Sequence, residues 1–193
     1  EPLVVGALSI SLLAMATGTG KTRTIIGLMY RFLKAERFKR ILFLVDRSAL
    51  GQQAIDSFND TTLEQNHTLA QIYDIKELGD MAAEAETRVQ VATVQAMVSR
   101  IFRSDNPPPV GEFDCIIVDE AHRLNQKSGL FQNQGEDQVR EIIGAAKCVI
   151  FFVDDHQRVH IKDIGVSAYI EKTARSCHAS IKKLELSSQF RCN

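Results

Sequence analysis

The chain carries Gly18-Thr19-Gly20-Lys21-Thr22 directly after one apolar run and Asp119-Glu120-Ala121-His122 directly after another. Glycines at 18 and 20 allow a tight turn whose backbone N–H groups can close on phosphate oxygens at a helix N-terminus, where the dipole favours negative charge. Thr17 and Thr19 belong to the same turn. Lys21 would set a point charge against the β- and γ-phosphates of a nucleotide, and the Thr22 hydroxyl suits Mg²⁺. The run Cys115 to Val118 ends in two carboxylates, so Asp119 should emerge at the carboxyl edge of a buried strand, where open α/β sheets bind ligands. Asp119 would hold the metal's water shell, and Glu120 would act as base toward an attacking water. Either motif alone has a bland reading, as a chance Gly-Lys-Thr loop or a solvated strand end. In this order, each after a strand-like run, they read as a site for ATP with Mg²⁺. Met15 departs from the strict pattern, which has Gly or Ala five residues before Gly20.

Those residues need a sheet to hold them, and the chain alternates strand and helix patterns throughout. That alternation implies an α/β fold with a mainly parallel sheet and helices on both faces, and the two motifs make it a three-layer P-loop NTPase domain. Ser9 to Met15 reads as the strand entering the phosphate turn, and Ile25, Leu28, Met29, Phe32 and Leu33 then recur at helical spacing. Arg37, Lys39 and Arg40 collect near the end of that helix, where cations are favoured, and read as helix termination rather than as a DNA patch. Ile41 to Val45 is a buried strand, Ser48 can cap a helix to about Phe58, and Thr68 to Tyr73 reads as a short strand. Lys76 to Glu86 has the composition of an exposed helix. Val89 to Val94 is a strand, followed by a helix bearing Met97, Val98 and Ile101, and Pro107 to Pro109 enforce an extended loop. After the strand Phe113 to Val118 come a polar loop Gln126 to Gly135, a helix Val139 to Ala146, a strand Cys148 to Val153, a helix Val166 to Cys177 and a strand Lys183 to Leu186.

Composition fits this picture. The 193 residues are 45% hydrophobic, enough to bury one full core, and the length favours a single domain over residues 1–193. Lysine and arginine total 23 against 24 acidic residues, so no overall electrostatic case for nucleic acid follows. The stretch Leu3 to Ala16 is broken by Gly6, Ser9 and Ser11, which argues against a membrane span or a cleaved signal and makes a cytoplasmic protein the expectation. Cys115 and Cys148 sit in apolar runs, Cys177 and Cys192 in polar ones, and no Cys-x-x-Cys pair occurs, so reduced, mostly structural thiols are expected. His156 and His160 have zinc-compatible spacing without a surrounding cage and read as solvated side chains.

Residues 12–122 resemble the first RecA-like motor domain of the R subunit of type I restriction enzymes, ATP-dependent DNA translocases of helicase superfamily two. The resemblance rests on LLAMATGTGKTRT, RFKRILFLVDRSAL, VQVATVQAM and FDCIIVDEAHR. It implies that Leu44 to Leu50 and the surroundings of Thr93 and Gln95 lie along a DNA strand, with Arg47 and Arg100 on the same edge. CVIFFVDDHQRV and LELSSQFRCN are instead similar to an uncharacterised bacterial P-loop family related to superfamily one. That likeness implies that Gln157 senses the γ-phosphate and Arg191 contacts it; by chemistry Gln157 could orient water or report hydrolysis and Arg191 could act as a cis arginine finger, with a polar turn and a frayed tail as the plainer readings. The switch between the two likenesses falls near 123–125 and raises the alternative of a recombined or designed chimera without motor activity.

In folds of this type the strand after the carboxylate strand is generally inserted beside the phosphate-turn strand, which would bring Asp154, Asp155 and Gln157 to the nucleotide. His122 reads as a switch between nucleotide and polar neighbours or, equally, as a strand-end hydrogen-bonder, rather than as a catalyst. Superfamily motors hold ATP between two RecA-like domains, and 193 residues provide for one. A second such domain or a partner would then be needed for motor activity, with slow or no hydrolysis and weak DNA binding expected without it.

Overall fold

The computed structural model describes residues 8–16, 18–76, 86–103, 105, 107, 109, 111–127, 135, 137–157 and 163–185. Its elements are β1 (Ser9–Ala14), α1 (Lys21–Lys34), β2 (Ile41–Val45), α2 (Ser48–Asp60), α3 (Leu69–Ile72), β3 (Asp74–Lys76) and β4 (Thr87–Thr93). They continue with α4 (Val94–Arg103), β5 (Cys115–Val118), a 3₁₀ turn (Ala121–Arg123), α5 (Gln138–Ala145), β6 (Cys148–Val153), α6 (Ser167–Ser176) and β7 (Ser180–Glu185). The seven strands form one sheet in the order β3-β4-β2-β5-β6-β1-β7, and every pairing is parallel.

Parallel strands covered on both faces must be apolar along their whole length, which is why β2, β5 and most of β6 read as unbroken hydrophobic runs. Alternate residues then divide between two cores. Leu42, Leu44, Ile116, Val118, Val149, Phe151 and Val153 face Val139, Ile142 and Ile143 of α5 and Ile170 and Ala174 of α6. Ile41, Phe43, Val45, Ile117, Ile150 and Phe152 face Ile25, Ile26 and Met29 of α1 and Ala54, Ile55 and Phe58 of α2. The sheet edges are protected by a three-residue strand on one side and by Lys182, Lys183 and Glu185 on the exposed strand at the other. Among the described residues no helix is long and apolar enough to cross a membrane.

Several expected elements are corrected. Thr68 to Tyr73 is not a strand: Leu69 and Ile72 lie one helical turn apart in α3, and the Thr68 N–H donates to Gln71 Oε1 at 2.9 Å. Ser48 is the first residue of α2 rather than its cap, which falls on the extended Arg47. The cations in the last turn of α1 are Arg31 and Lys34. Arg40 serves elsewhere, donating from Nε to the Thr87 carbonyl at 3.1 Å, with Nη1 3.8 Å from Glu112 Oε1. The helix expected over Lys76 to Glu86 falls mostly outside the described residues, as do the centre of the Gln126 to Gly135 loop and Leu186; Lys76 itself ends β3.

β6 lies between β5 and β1, as expected for a fold of this type, with Ala14 opposite Val153 and Val118 opposite Phe151. The segment beyond β6 then returns to the 3₁₀ turn. Asn125 and Asp163 form an antiparallel bridge, and the Ile164 N–H donates to the Leu124 carbonyl at 2.8 Å. Gly165 closes this contact: a Cβ there would stand 1.6 Å from the Ala121 carbonyl oxygen and 2.7 Å from its carbon. Both are backbone atoms that cannot rotate away. Gly165→Ala should therefore destabilise the fold by about 1–3 kcal/mol or more, the range for overpacking a tight contact. Thermal and urea melts of the variant check this, and an unchanged midpoint would mean that the 163–165 segment has room to shift.

Candidate nucleotide site

The carboxyl ends of β1, β5 and β6 lie on one edge of the sheet, and Gly18, Thr19, Gly20, Lys21, Asp119, Glu120 and Gln157 follow them there. Gly18 and Gly20 both have φ of +81°, the left-handed region that glycine enters without steric cost. A Cβ at either would meet nothing within 4 Å, so the turn presents bare backbone to open space. Thr19 stiffens it by donating from Oγ1 to the Ala16 carbonyl at 2.6 Å. Lys21 opens α1, so the helix N-terminus points at the same opening. Met15 needs no glycine-like freedom: its side chain is buried, it has no positive φ, and its N–H donates to the Val153 carbonyl at 2.9 Å.

Lys21 is only 8% exposed, so its ammonium must find negative partners inside the protein. It donates to Glu120 Oε1 and lies 3.7 Å from Asp119 Oδ1. β5 delivers both carboxylates. The Asp119 N–H extends the pairing with β2 by donating to the Leu44 carbonyl at 2.9 Å, and Asp119 Oδ1 accepts the Glu120 N–H at 3.0 Å. Glu120 then turns the chain with φ of +51°, a left-handed conformation costing a non-glycine residue on the order of 1 kcal/mol or more. That strained turn starts the 3₁₀ segment and leaves the Glu120 carboxylate between Lys21 and His122.

His122 is buried and connects Glu120 to the strand beyond. Its Nδ1 accepts the Asp154 N–H at 3.2 Å, which puts the proton of the neutral ring on Nε2, 3.2 Å from Glu120 Oε2. The approach is angled away from a linear hydrogen bond, so the attraction is chiefly electrostatic. The His122 contact, reinforced by Lys21, holds the Glu120 carboxyl down to about 2. Burial pushes Asp119 the other way, above the usual aspartate range, with the Glu120 charge adding to the effect and Lys21 opposing it. Adjacent carboxyls driven apart in this manner are suited to different roles.

Asp154 and Asp155 fix the next segment. Asp154 Oδ1 accepts the His156 N–H at 3.1 Å, its carbonyl accepts the Gln157 N–H at 3.1 Å, and Asp155 Oδ1 accepts the Ser167 N–H at 3.0 Å. Gln157 thus follows the strand that lies between the phosphate-turn strand and the carboxylate strand. Thr22 is exposed on the first turn of α1. Thr17, Arg191 and His160 lie outside the described residues.

The sequence reading passed over Asp46 and Arg123. Arg123 Nη1 is 3.5 Å from Asp46 Oδ2 and its Nε is 3.8 Å from Glu120 Oε2, so the ends of β2 and β5 are linked through one guanidinium. Val45-Asp46 echoes Val118-Asp119, and that repeated strand-end carboxylate was the available signal. Asp46, Gln95, Asp119, Glu120 and Arg123 line one cleft at this edge. A larger hollow, lined by Leu33, Lys34, Phe38, Lys39, Tyr73 and Arg88, lies at the opposite edge, away from the phosphate turn. The expected DNA-facing set is also revised. Arg47 is exposed, but Arg100 is buried with Nη2 3.5 Å from Glu112 Oε2, and buried Thr93 accepts the Ala96 N–H on Oγ1 at 3.0 Å.

A hydroxyl on the first helical turn and a carboxylate at the end of β5, one strand away from β1, are the oxygen donors that Mg²⁺ accepts when phosphate and water complete its octahedron. The described residues contain no group of three or more His, Cys, Asp or Glu side chains that could hold a metal on their own. Thr22 and Asp119 therefore fit a magnesium ion that arrives with a phosphate.

The chain is 53% identical over 132 residues to the type I restriction enzyme EcoKI endonuclease subunit of Escherichia coli K12, covering 67% of this chain and 11% of that protein. It is 31% identical over 117 residues to the Escherichia coli EcoAI endonuclease subunit, covering 58% of this chain and 13% of that one. Among solved structures, the Pyrococcus furiosus Hef helicase domain superposes with a TM-score of 0.58 at 22% identity, over 93% of this chain and 35% of that chain. The type ISP restriction-modification enzyme LlaGI, solved with a DNA substrate mimic, gives 0.53 at 15% identity over 93% and 18%. These two likenesses establish a RecA-like helicase fold. A family match extends unbroken over residues 9–153, past the junction expected near 123–125, so the chimera reading is not favoured. The chain belongs to the family described as type III restriction enzyme, res subunit.

Proposed function

We propose that this domain binds ATP with Mg²⁺ and is one half of the motor of an ATP-dependent DNA translocase. The carrying observation is the pairing of a bare left-handed glycine turn with a buried lysine–dicarboxylate cluster at the same sheet edge. In this reading Gly18, Thr19, Gly20 and Lys21, with Thr17 beside them, take the phosphates, and Thr22 and Asp119 hold the metal. Magnesium, when bound, neutralises phosphate charge. Phosphate oxygens compete with Glu120 for Lys21; once the ammonium turns away, the Glu120 carboxylate loses a neighbour that depresses its basicity and becomes a better acceptor for a water proton. Gln157 orients that water, and Arg191 or an arginine from a second RecA-like domain supplies charge to the transition state. The chain spans only 11–13% of the restriction subunits it matches, so translocation belongs to a larger assembly.

A melt with and without millimolar Mg·ATP tests binding. Ligand at a hundred times its dissociation constant stabilises by about 2.7 kcal/mol, which shifts the midpoint by several degrees. Lys21→Ala should abolish the shift. Because Lys21 neutralises two buried carboxylates, that variant should also melt lower than the parent without nucleotide. No shift in the parent would remove the nucleotide reading.

Glu120→Gln should retain the nucleotide shift while lowering turnover by at least on the order of 10²-fold, the usual loss for a positioned base. The same variant tests the electrostatics. Glu120 is depressed from 4.5 to about 2, so its contribution to stability is complete above about pH 4.5 and lost as pH falls toward 2. The melting difference between parent and Glu120→Gln should shrink across that window, and a difference independent of pH would show that the carboxylate is not held by charge.

With Arg100 and Thr93 turned inward and a net charge of −1, DNA binding by this domain alone should be weak, non-specific and steeply salt-dependent. Anisotropy titrations at two salt concentrations measure this, and tight binding at physiological salt would mean a complete DNA track without a second domain.

A further inference from the structure

The amino ends of β5 and β6 carry a feature that the nucleotide site does not use. Cys115 and Cys148 are the first residues of their strands and stand directly opposite one another in the parallel ladder. Both belong to the same core, on the α1/α2 face, so their side chains leave the sheet on the same side. Neighbouring strands run about 4.8 Å apart, within the roughly 4.4–6.8 Å between Cα atoms that a disulfide spans. Both thiols are free, Cys115 buried and Cys148 half-buried, so a small reagent reaches the second before the first.

We propose that Cys148 and Cys115 form a peroxide-oxidisable thiol pair, with Cys148 attacked first and Cys115 resolving it into an inter-strand disulfide. The Cys148 thiolate attacks one oxygen of a hydroperoxide, the O–O bond breaks, and the other oxygen leaves as alcohol or water, giving a sulfenic acid. The Cys115 sulfur then attacks Sγ of Cys148, the S–O bond breaks, and the departing hydroxide takes the Cys115 proton as water. Two thiols thereby lose two electrons to the peroxide. The surroundings favour this order: the Cys115 thiol donates toward Cys148 and lowers it, the Arg37 charge acts in the same direction, and Cys115 is itself raised by the same contact and by burial. A lowered, reachable thiol beside a buried resolving thiol is the arrangement of redox-reactive cysteines.

Trypsin separates the relevant thiols, since residues 104–123, 148–158 and 176–182 each carry one cysteine. The chain would be treated with graded hydrogen peroxide, blocked with N-ethylmaleimide, digested without reductant and read by mass spectrometry. The expected product is the 104–123 peptide linked to 148–158, lighter by two hydrogens and released by dithiothreitol. Cys148 should be lost on the order of tenfold faster than Cys177, because the Cys115 contact and the Arg37 charge lower the Cys148 thiol. Cys115→Ala should leave a dimedone-reactive sulfenic acid at Cys148, and Cys148→Ser should remove the link. The parent alone decides the matter if either variant fails to fold. Cys148 passing to sulfinic acid without a link, a link to Cys177 instead, or both thiols still taken by maleimide would each overturn the proposal.

Discussion

Parallel, in-register pairing of β1, β6 and β5 is the constraint on which the rest of the molecule depends. Ala14 opposite Val153 and Val118 opposite Phe151 force three chain segments, distant in sequence, to leave the sheet at one edge. Parallel neighbours cannot be joined by a tight turn, and among the described residues α1, α2, α4, α5 and α6 lie on the crossings between strands, with the sheet buried on both faces. The edge at which the strands end is where backbone groups lose their ladder partners, and it is there that the glycine turn, the two carboxylates and the Asp154 segment meet. Slipping β6 by one residue would exchange Phe151 and Phe152 between the two cores and carry Asp154 away from His122.

Electrostatics adds a second layer to this geometry. Burial alone would drive both carboxyls at the end of β5 toward protonation, yet they respond in opposite senses. Glu120, turned by its left-handed backbone toward His122 and Lys21, keeps its charge, whereas Asp119 bears the cost of desolvation. A doubly charged cation near Asp119 would relieve that cost, so the same burial that penalises the free carboxylate strengthens its affinity for a metal.

Much of this was legible in the sequence because apolar runs and glycine positions report directly on backbone demands. β2 and β6 begin and end where their hydrophobic runs do, and the insertion of β6 beside β1 was expected from the fold type that the two motifs indicated. What escaped was set by tertiary partners. Thr68 to Tyr73 carries residues compatible with either state, and Gln71 reaching back to Thr68 decided for a helical turn. Arg40 and Arg100 look like surface cations until Glu112 folds under them. Gly165 gave no local cue, since its need is for closeness to Ala121 and not for an unusual backbone angle. That Asp119 and Glu120 follow β5 and that Thr22 stands on the first turn of α1 was readable from the two motifs, while Asp46 and Arg123, which tie β2 to the same edge, required the sheet order to be known.

The contact at Gly165 also has a mechanical meaning. With no side chain between the two backbones, and with Ile164 bonded to Leu124 on one side and an Asn125–Asp163 bridge beside it, the 3₁₀ turn and the returning segment have no compressible layer between them. A shift of the 3₁₀ turn would therefore have to carry residues 163–165 with it, and these lead directly into α6.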